Sequence, residues 1–137
     1  MNRPDTDRTL APTGDVVELM LPIGHKHIAT ARVVAASLGA DAGFDVDQID
    51  DFRLAVDEAV AIVVDAAGAE AERVALRFEP GPGAVTVRVA AQPPAPLTLA
   101  DIDALALRIV KAVADEFDVA DGALVVVKRA TAGDVVA

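Results

Sequence analysis

The chain has 137 residues, enough for one domain around one core. Hydrophobic residues make up 53% and charged residues 25%, which excludes intrinsic disorder, and the absence of cysteine excludes disulfides and thiolate metal sites. The 12 basic side chains stand against 22 acidic ones, a formal charge of −10 that argues against direct nucleic-acid binding and against an anionic membrane surface, since both demand a basic face. Charge of this sign keeps a chain soluble and speeds encounter with a basic protein partner.

Residues 1–14 read as a flexible leader. Arg3, Asp5, Asp7 and Arg8 stand there with two prolines and no apolar h-region, so the segment does not have the form of a signal peptide. No apolar run approaches the roughly 18 residues that a bilayer span requires, and a cytoplasmic location is the expectation. Residues 15–130 are expected to form a single domain and residues 131–137 a short tail.

Val16 to Leu21 is a β-prone run. Pro22 cannot donate to a sheet ladder and suits the first turn of a helix, so a helix is expected over Ile23–Leu38, with Ile28, Ala31, Val34, Ala35 and Leu38 on its inner face. A second helix should begin near Val46 or Asp47. Ile49, Phe52, Val56, Ala59, Val60 and Val63 form its buried stripe, Asp45, Asp47, Asp50 and Asp51 suit its positive end, and Gly68 closes it. Residues 73–78 and 85–89 alternate polar and apolar around Pro80-Gly81-Pro82-Gly83, the pattern of a hairpin. Thr98 and Asp101 read as a capping box opening a third helix, with Ile102, Leu105, Ile109, Ala112 and Val113 on one face. A second hairpin turns at Asp121-Gly122 between residues 117–119 and 124–127. The order β-α-α-β-β-α-β-β predicts an α+β fold: a two-layer sandwich with a mostly antiparallel sheet of about five strands, covered on one face by three helices. Arg73, Arg77, Thr86 and Arg88 fall on the open face.

The stretch Asp50-Asp51-Phe52-Arg53-Leu54-Ala55-Val56-Asp57-Glu58-Ala59-Val60 resembles the second-helix signature of the anti-sigma serine kinases of the histidine-kinase-like ATPase family. The likeness extends from about residue 16 to 130, through the first strand and helix at Glu18–Arg32 and the closing helix and hairpin at Leu105–Arg129. The resemblance implies the fold named above, with ATP and Mg²⁺ as cofactors in active members. It also implies a sigma factor or a STAS-type antagonist as partner, and homodimers in many members.

Position by position, the nucleotide site departs from that pattern. Glu58 stands where the family has a general base or water-orienting glutamate. Ile62 stands where it has an Mg²⁺-binding asparagine, and isoleucine offers no oxygen to a metal that demands oxygen ligands. Ala66 falls where several members have a histidine. Ala90 to Ala100 has neither the aspartate nor the glycines of the adenine-reading loop, and Ala104 and Ala106 replace the two glycines that seat phosphates. The expectation is therefore a regulatory binding protein without a cofactor, with Glu58 vestigial and the old site filled by Ile62, Ala66, Ala104 and Ala106. The alternative is an ATP-dependent anti-sigma serine kinase with a nonstandard site.

The other residues with chemical potential have plainer readings. Glu58 is read as a relic or as a carboxylate near Arg53 or Arg32. His25 and His27 diverge on a helix start, and no third ligand accompanies them, so no metal site is expected. Asp57 and Glu58 diverge in the same way. Ser37 is read as an ordinary helix residue.

Overall fold

The computed structural model describes residues 15–131; the expected leader and residues 132–137 of the expected tail lie outside the described residues. The elements run β1 (Val17–Pro22), α1 (Ile28–Asp41), α2 (Val46–Ala66), β2 (Arg73–Gly81), β3 (Ala84–Gln92), a single 3₁₀ turn (Leu99–Asp101), α3 (Ala104–Val113), β4 (Glu116–Ala120) and β5 (Ala123–Arg129). The strands form one five-stranded sheet in the order β1-β2-β3-β5-β4, antiparallel at every pairing. The expected α+β sandwich is the observed one. Among the described residues no helix is long and apolar enough to cross a membrane.

Alternation along the strands decides the layers. Val74, Leu76 and Phe78 of β2, Val85, Val87 and Val89 of β3, and Leu124 and Val126 of β5 are buried under the helices. Arg73, Arg77, Thr86 and Arg88 occupy the opposite phase, on the open face. Helix α2 buries Phe52, Ala55, Val56, Ala59, Val60, Ile62 and Val63. Its start is a capping box: Asp45 Oδ1 accepts from the Gln48 N–H at 2.8 Å, and Gln48 Oε1 accepts from the Asp45 N–H at 2.9 Å. Helix α1 buries only Ala31, Ala35 and Gly39, small residues that let it lie close to its neighbours.

Two boundaries differ from the sequence reading. Pro22 ends β1 opposite Arg73 instead of opening a helix. The strand lies at the sheet edge, where the missing N–H costs no ladder bond. Gly24, with φ at 124°, then holds the chain in a conformation favoured by glycine, and α1 starts only at Ile28. The capping pair Thr98–Asp101 is present, with the Thr98 N–H donating to Asp101 Oδ2 at 2.9 Å, but it closes the 3₁₀ turn. Helix α3 begins afresh at Ala104.

The proline-rich linker before that turn is anchored at Ala95 and Leu97, while Pro93, Pro94 and Pro96 are exposed. Gly122 has φ at 77°, and a Cβ built on it would stand 2.8 Å from the Ala95 carbonyl oxygen. Only about 10 Å³ of space remains where Ala95, Pro96 and Leu97 meet Val63, Ala66 and Ala67 of the α2 end. On the other side of α3, Lys128 is buried. Its Nζ donates to the Val113 carbonyl at 3.0 Å and lies 3.5 Å from Asp51 and 4.0 Å from Asp115, so one ammonium ties α2, the end of α3 and β5 together.

A Cβ on Gly39 would fall 2.7 Å from Cδ2 of Phe44, whose ring is held edge-on to Phe52. The helix-propensity gain of Gly39→Ala, about 0.5–1 kcal/mol, is smaller than the overpacking cost of about 1–3 kcal/mol. Urea denaturation should therefore show Gly39→Ala as destabilised. Phe52→Ala should lose about 3–5 kcal/mol, since the site is closed on all sides.

Candidate functional site

Helix α2 turns a second stripe away from the sheet. Glu58, Ala61, Ile62 and Asp65 follow the three- and four-residue spacing that keeps side chains on one helical face. This stripe is one wall of a cleft of about 490 Å³. The other wall is the start of α3 and its approach: Asp101, Ile102, Asp103, Leu105, Ala106 and Ile109. The floor is apolar, and among the described residues every ionisable side chain lining the cleft is a carboxylate.

The expectation of a filled site is overturned. Ala61 and Ala106 are too small to close the space between the helices, and the cleft stays open. Of the residues singled out from the sequence, Glu58, Ile62 and Ala106 meet at the cleft. Ala66 does not; it lines the crevice under the linker. A residue eight positions along a helix has turned by about 80°, so positions 58 and 66 face different neighbours. Ala104 stands exposed on the first turn of α3 and is not part of the cleft wall.

Asp103 is the residue the sequence reading missed. It is the N-cap of α3, and its Oδ2 accepts from the N–H groups of Leu105 at 3.1 Å and Ala106 at 3.2 Å. These N–H groups at a helix start are the kind that bind an anion. Here the chain supplies that anion itself. The sequence carries the signal, because an aspartate immediately before an apolar helical run is a helix-start pattern.

Glu58 lacks the arginine partner expected for it. Arg32 lies 3.8 Å from Asp57 and Arg53 lies 3.4 Å from Asp50, so both guanidiniums serve neighbouring carboxylates. Among the described residues Glu58 makes no ion pair and no side-chain hydrogen bond. Burial, and then the Asp57 carboxylate beside it, raise its pKa above the ordinary 4.5. His25 Nε2 lies 3.0 Å from Asp65 Oδ1 at the rim, while His27 occupies the N-cap position of α1 without a side-chain cap. Among the described residues no three His, Cys, Asp or Glu side chains gather as a metal site.

A raised carboxylate pKa means that the folded chain holds the proton more tightly than the unfolded chain. The ionised group therefore destabilises the fold above its folded pKa, and this effect disappears below the unfolded value near 4.5. Glu58→Gln should raise the melting temperature at pH 7, and the gain should vanish in the same comparison at about pH 4. Asp103→Ala should cost about 0.5–2 kcal/mol by loss of the cap, measured by chemical denaturation, and Asp103→Ser should recover most of it.

The profile of the histidine kinase-like ATPase domain matches residues 21–129. No curated protein matches the sequence. Among solved structures, the fold is similar to the crystal structure of the RsbU and RsbW domains of Rv1364c from Mycobacterium tuberculosis, with a TM-score of 0.57 and 18% identity. That likeness covers 85% of this chain and 32% of the solved one, so the chain spans about a third of its length. The sheet order, the three covering helices and a match running from the end of β1 to the end of β5 lead to one conclusion: the chain belongs to the histidine kinase-like ATPase domain family.

Proposed function

We propose that this chain is an anti-sigma-type binding protein that has lost ATP binding and kinase activity, and that it acts by sequestering a sigma factor or a STAS-type antagonist. One observation carries the first half. The backbone N–H groups at the start of α3, where a phosphate would be seated, already donate to the Asp103 carboxylate. The mismatch extends around the cleft. Among the described residues four carboxylates line it with no lysine or arginine to balance a triphosphate, and Ile62 brings methyl groups to the metal-ligand position. The residues present do not fit Mg²⁺-ATP, so no catalytic step is assigned to Glu58.

The second half rests on the anti-sigma signature along α2 and on the fold shared with the RsbU–RsbW chain. Without kinase activity of its own, such a protein is regulated by competition between partners, by expression or by another signal, and not by its own ATP-dependent phosphorylation of a partner. A cytoplasmic location accompanies this reading.

A specific observation favours the kinase alternative: the cleft is open, and Glu58 stands on its wall with a raised pKa. Thermal melting with millimolar ATP and Mg²⁺ separates the two. A ligand at 100 times its Kd adds about 2.7 kcal/mol to folding stability, so no shift is expected here and a clear rise would restore the kinase reading. For the partner, the chain immobilised in extract of its native cell should retain a sigma factor or a STAS-domain protein. Retention of neither would sink the proposal.

A further inference from the structure

We infer that the cleft between α2 and α3 is a docking groove for a basic amphipathic segment of a protein partner. An apolar side chain of that segment enters the floor, and a lysine or arginine beside it meets the carboxylate rim. The inference rests on the reading of the cleft as free of nucleotide and adds the chemistry of what takes the nucleotide's place.

The size comes first. At about 490 Å³ the cleft has the size of a small-ligand pocket, so it takes side chains of a partner segment and not a whole helix. Its floor is apolar, built from Ile62, Ile102 and Ile109. Apolar surface also continues outward from it. Leu105, on the cleft wall, is 61% exposed, and Leu99, on the turn that leads into it, is 56% exposed. Two leucines left in water beside an apolar floor point to a macromolecular surface that covers them, since a small free cation makes no use of them.

The sign of the rim selects the occupant. Glu58, Asp65, Asp101 and Asp103 all carry carboxylates, so an acidic peptide or a phosphate-bearing ligand meets like charge throughout. Asp101 and Asp103 are already engaged by local N–H groups, and Asp65 by His25, yet each still lines the cleft. Glu58 is the member without a partner among the described residues, and it shares the α2 wall with Ile62. An ammonium or guanidinium at that point supplies the missing counter-charge. Exposed pairs of this kind contribute little each, so the charges steer and select while the apolar contacts hold.

The test is backbone-amide NMR on the full chain, titrated with a synthetic helical peptide that carries leucine and lysine at helical spacing. Shifts are expected at Ala61, Ile62, Ala106 and Ile109. A peptide with glutamate for lysine and one with serine for leucine should both fail to bind. The double variant Glu58→Gln/Asp65→Asn, which leaves both helix caps in place, should bind the first peptide about fivefold more weakly. Shifts that map to α1 or to the open sheet face overturn the proposal. Equal binding by the serine peptide also overturns it, since the cleft is then a simple polycation site. Unchanged affinity in the double variant does the same. ATP with Mg²⁺ is titrated separately. Cleft shifts with nucleotide overturn the nucleotide-free reading together with this inference, whereas peptide failure at a nucleotide-silent cleft removes the docking groove alone.

Discussion

The ring of Phe52 stands edge-on to two others: Phe44 at 5.7 Å between centroids and Phe78 at 6.5 Å, with interplanar angles of 88° and 82°. These are three of the chain's four phenylalanines, and there is no Trp or Tyr to provide bulk elsewhere. Phe44 belongs to the α1–α2 connection, Phe52 to α2 and Phe78 to β2, so the stack joins both layers at one point. Edge-to-face geometry constrains rotation as well as distance, which aliphatic contacts do only weakly. The stack therefore sets how α2 is rolled on the sheet.

Everything at the cleft follows from that roll. The residues that α2 buries and the residues it presents to the cleft are opposite sides of one helix, and Ile62 stands on the border between them. Were α2 rolled by one residue, about 100°, the cleft wall would carry a different set of side chains. Helix α3 gains its position differently. It fully buries only Val110, with Ala106, Leu107 and Val113 packed against the core, and polar contacts hold both of its ends: the Asp103 cap at the start and the Lys128 ammonium on the Val113 carbonyl at the finish. A short helix gains from such terminations as well as from its apolar face.

Much of this was legible in the sequence. The two hairpins, the long second helix with its buried stripe and the covered and open faces of the sheet follow from alternation, helical spacing and turn chemistry. The likeness along Asp50–Val60 led to the family. Other features were not legible, for identifiable reasons. Pro22 obeys the same backbone rule at a strand edge as at a helix start, and only the sheet order separates the two. The pattern Thr98–Asp101 caps a 3₁₀ turn as readily as an α-helix, so the restart at Ala104 was hidden, and Asp103 with it. Counting by fours carried Ala66 onto a stripe that true helical pitch takes it off. That the cleft is open depends on how far apart α2 and α3 lie, a distance that no local pattern encodes.

The linker held between Gly122 and the end of α2 has a kinetic consequence. Many clefts between helices are gated by a segment that swings aside, and their exchange rates report that gate. Here the segment leading into α3 is pinned at Ala95 and Leu97, while Pro96, Thr98, Leu99 and Ala100 are exposed. The anchor lies before the wall, so a partner that docks as proposed meets the field of the rim carboxylates first and the exposed approach to α3 second.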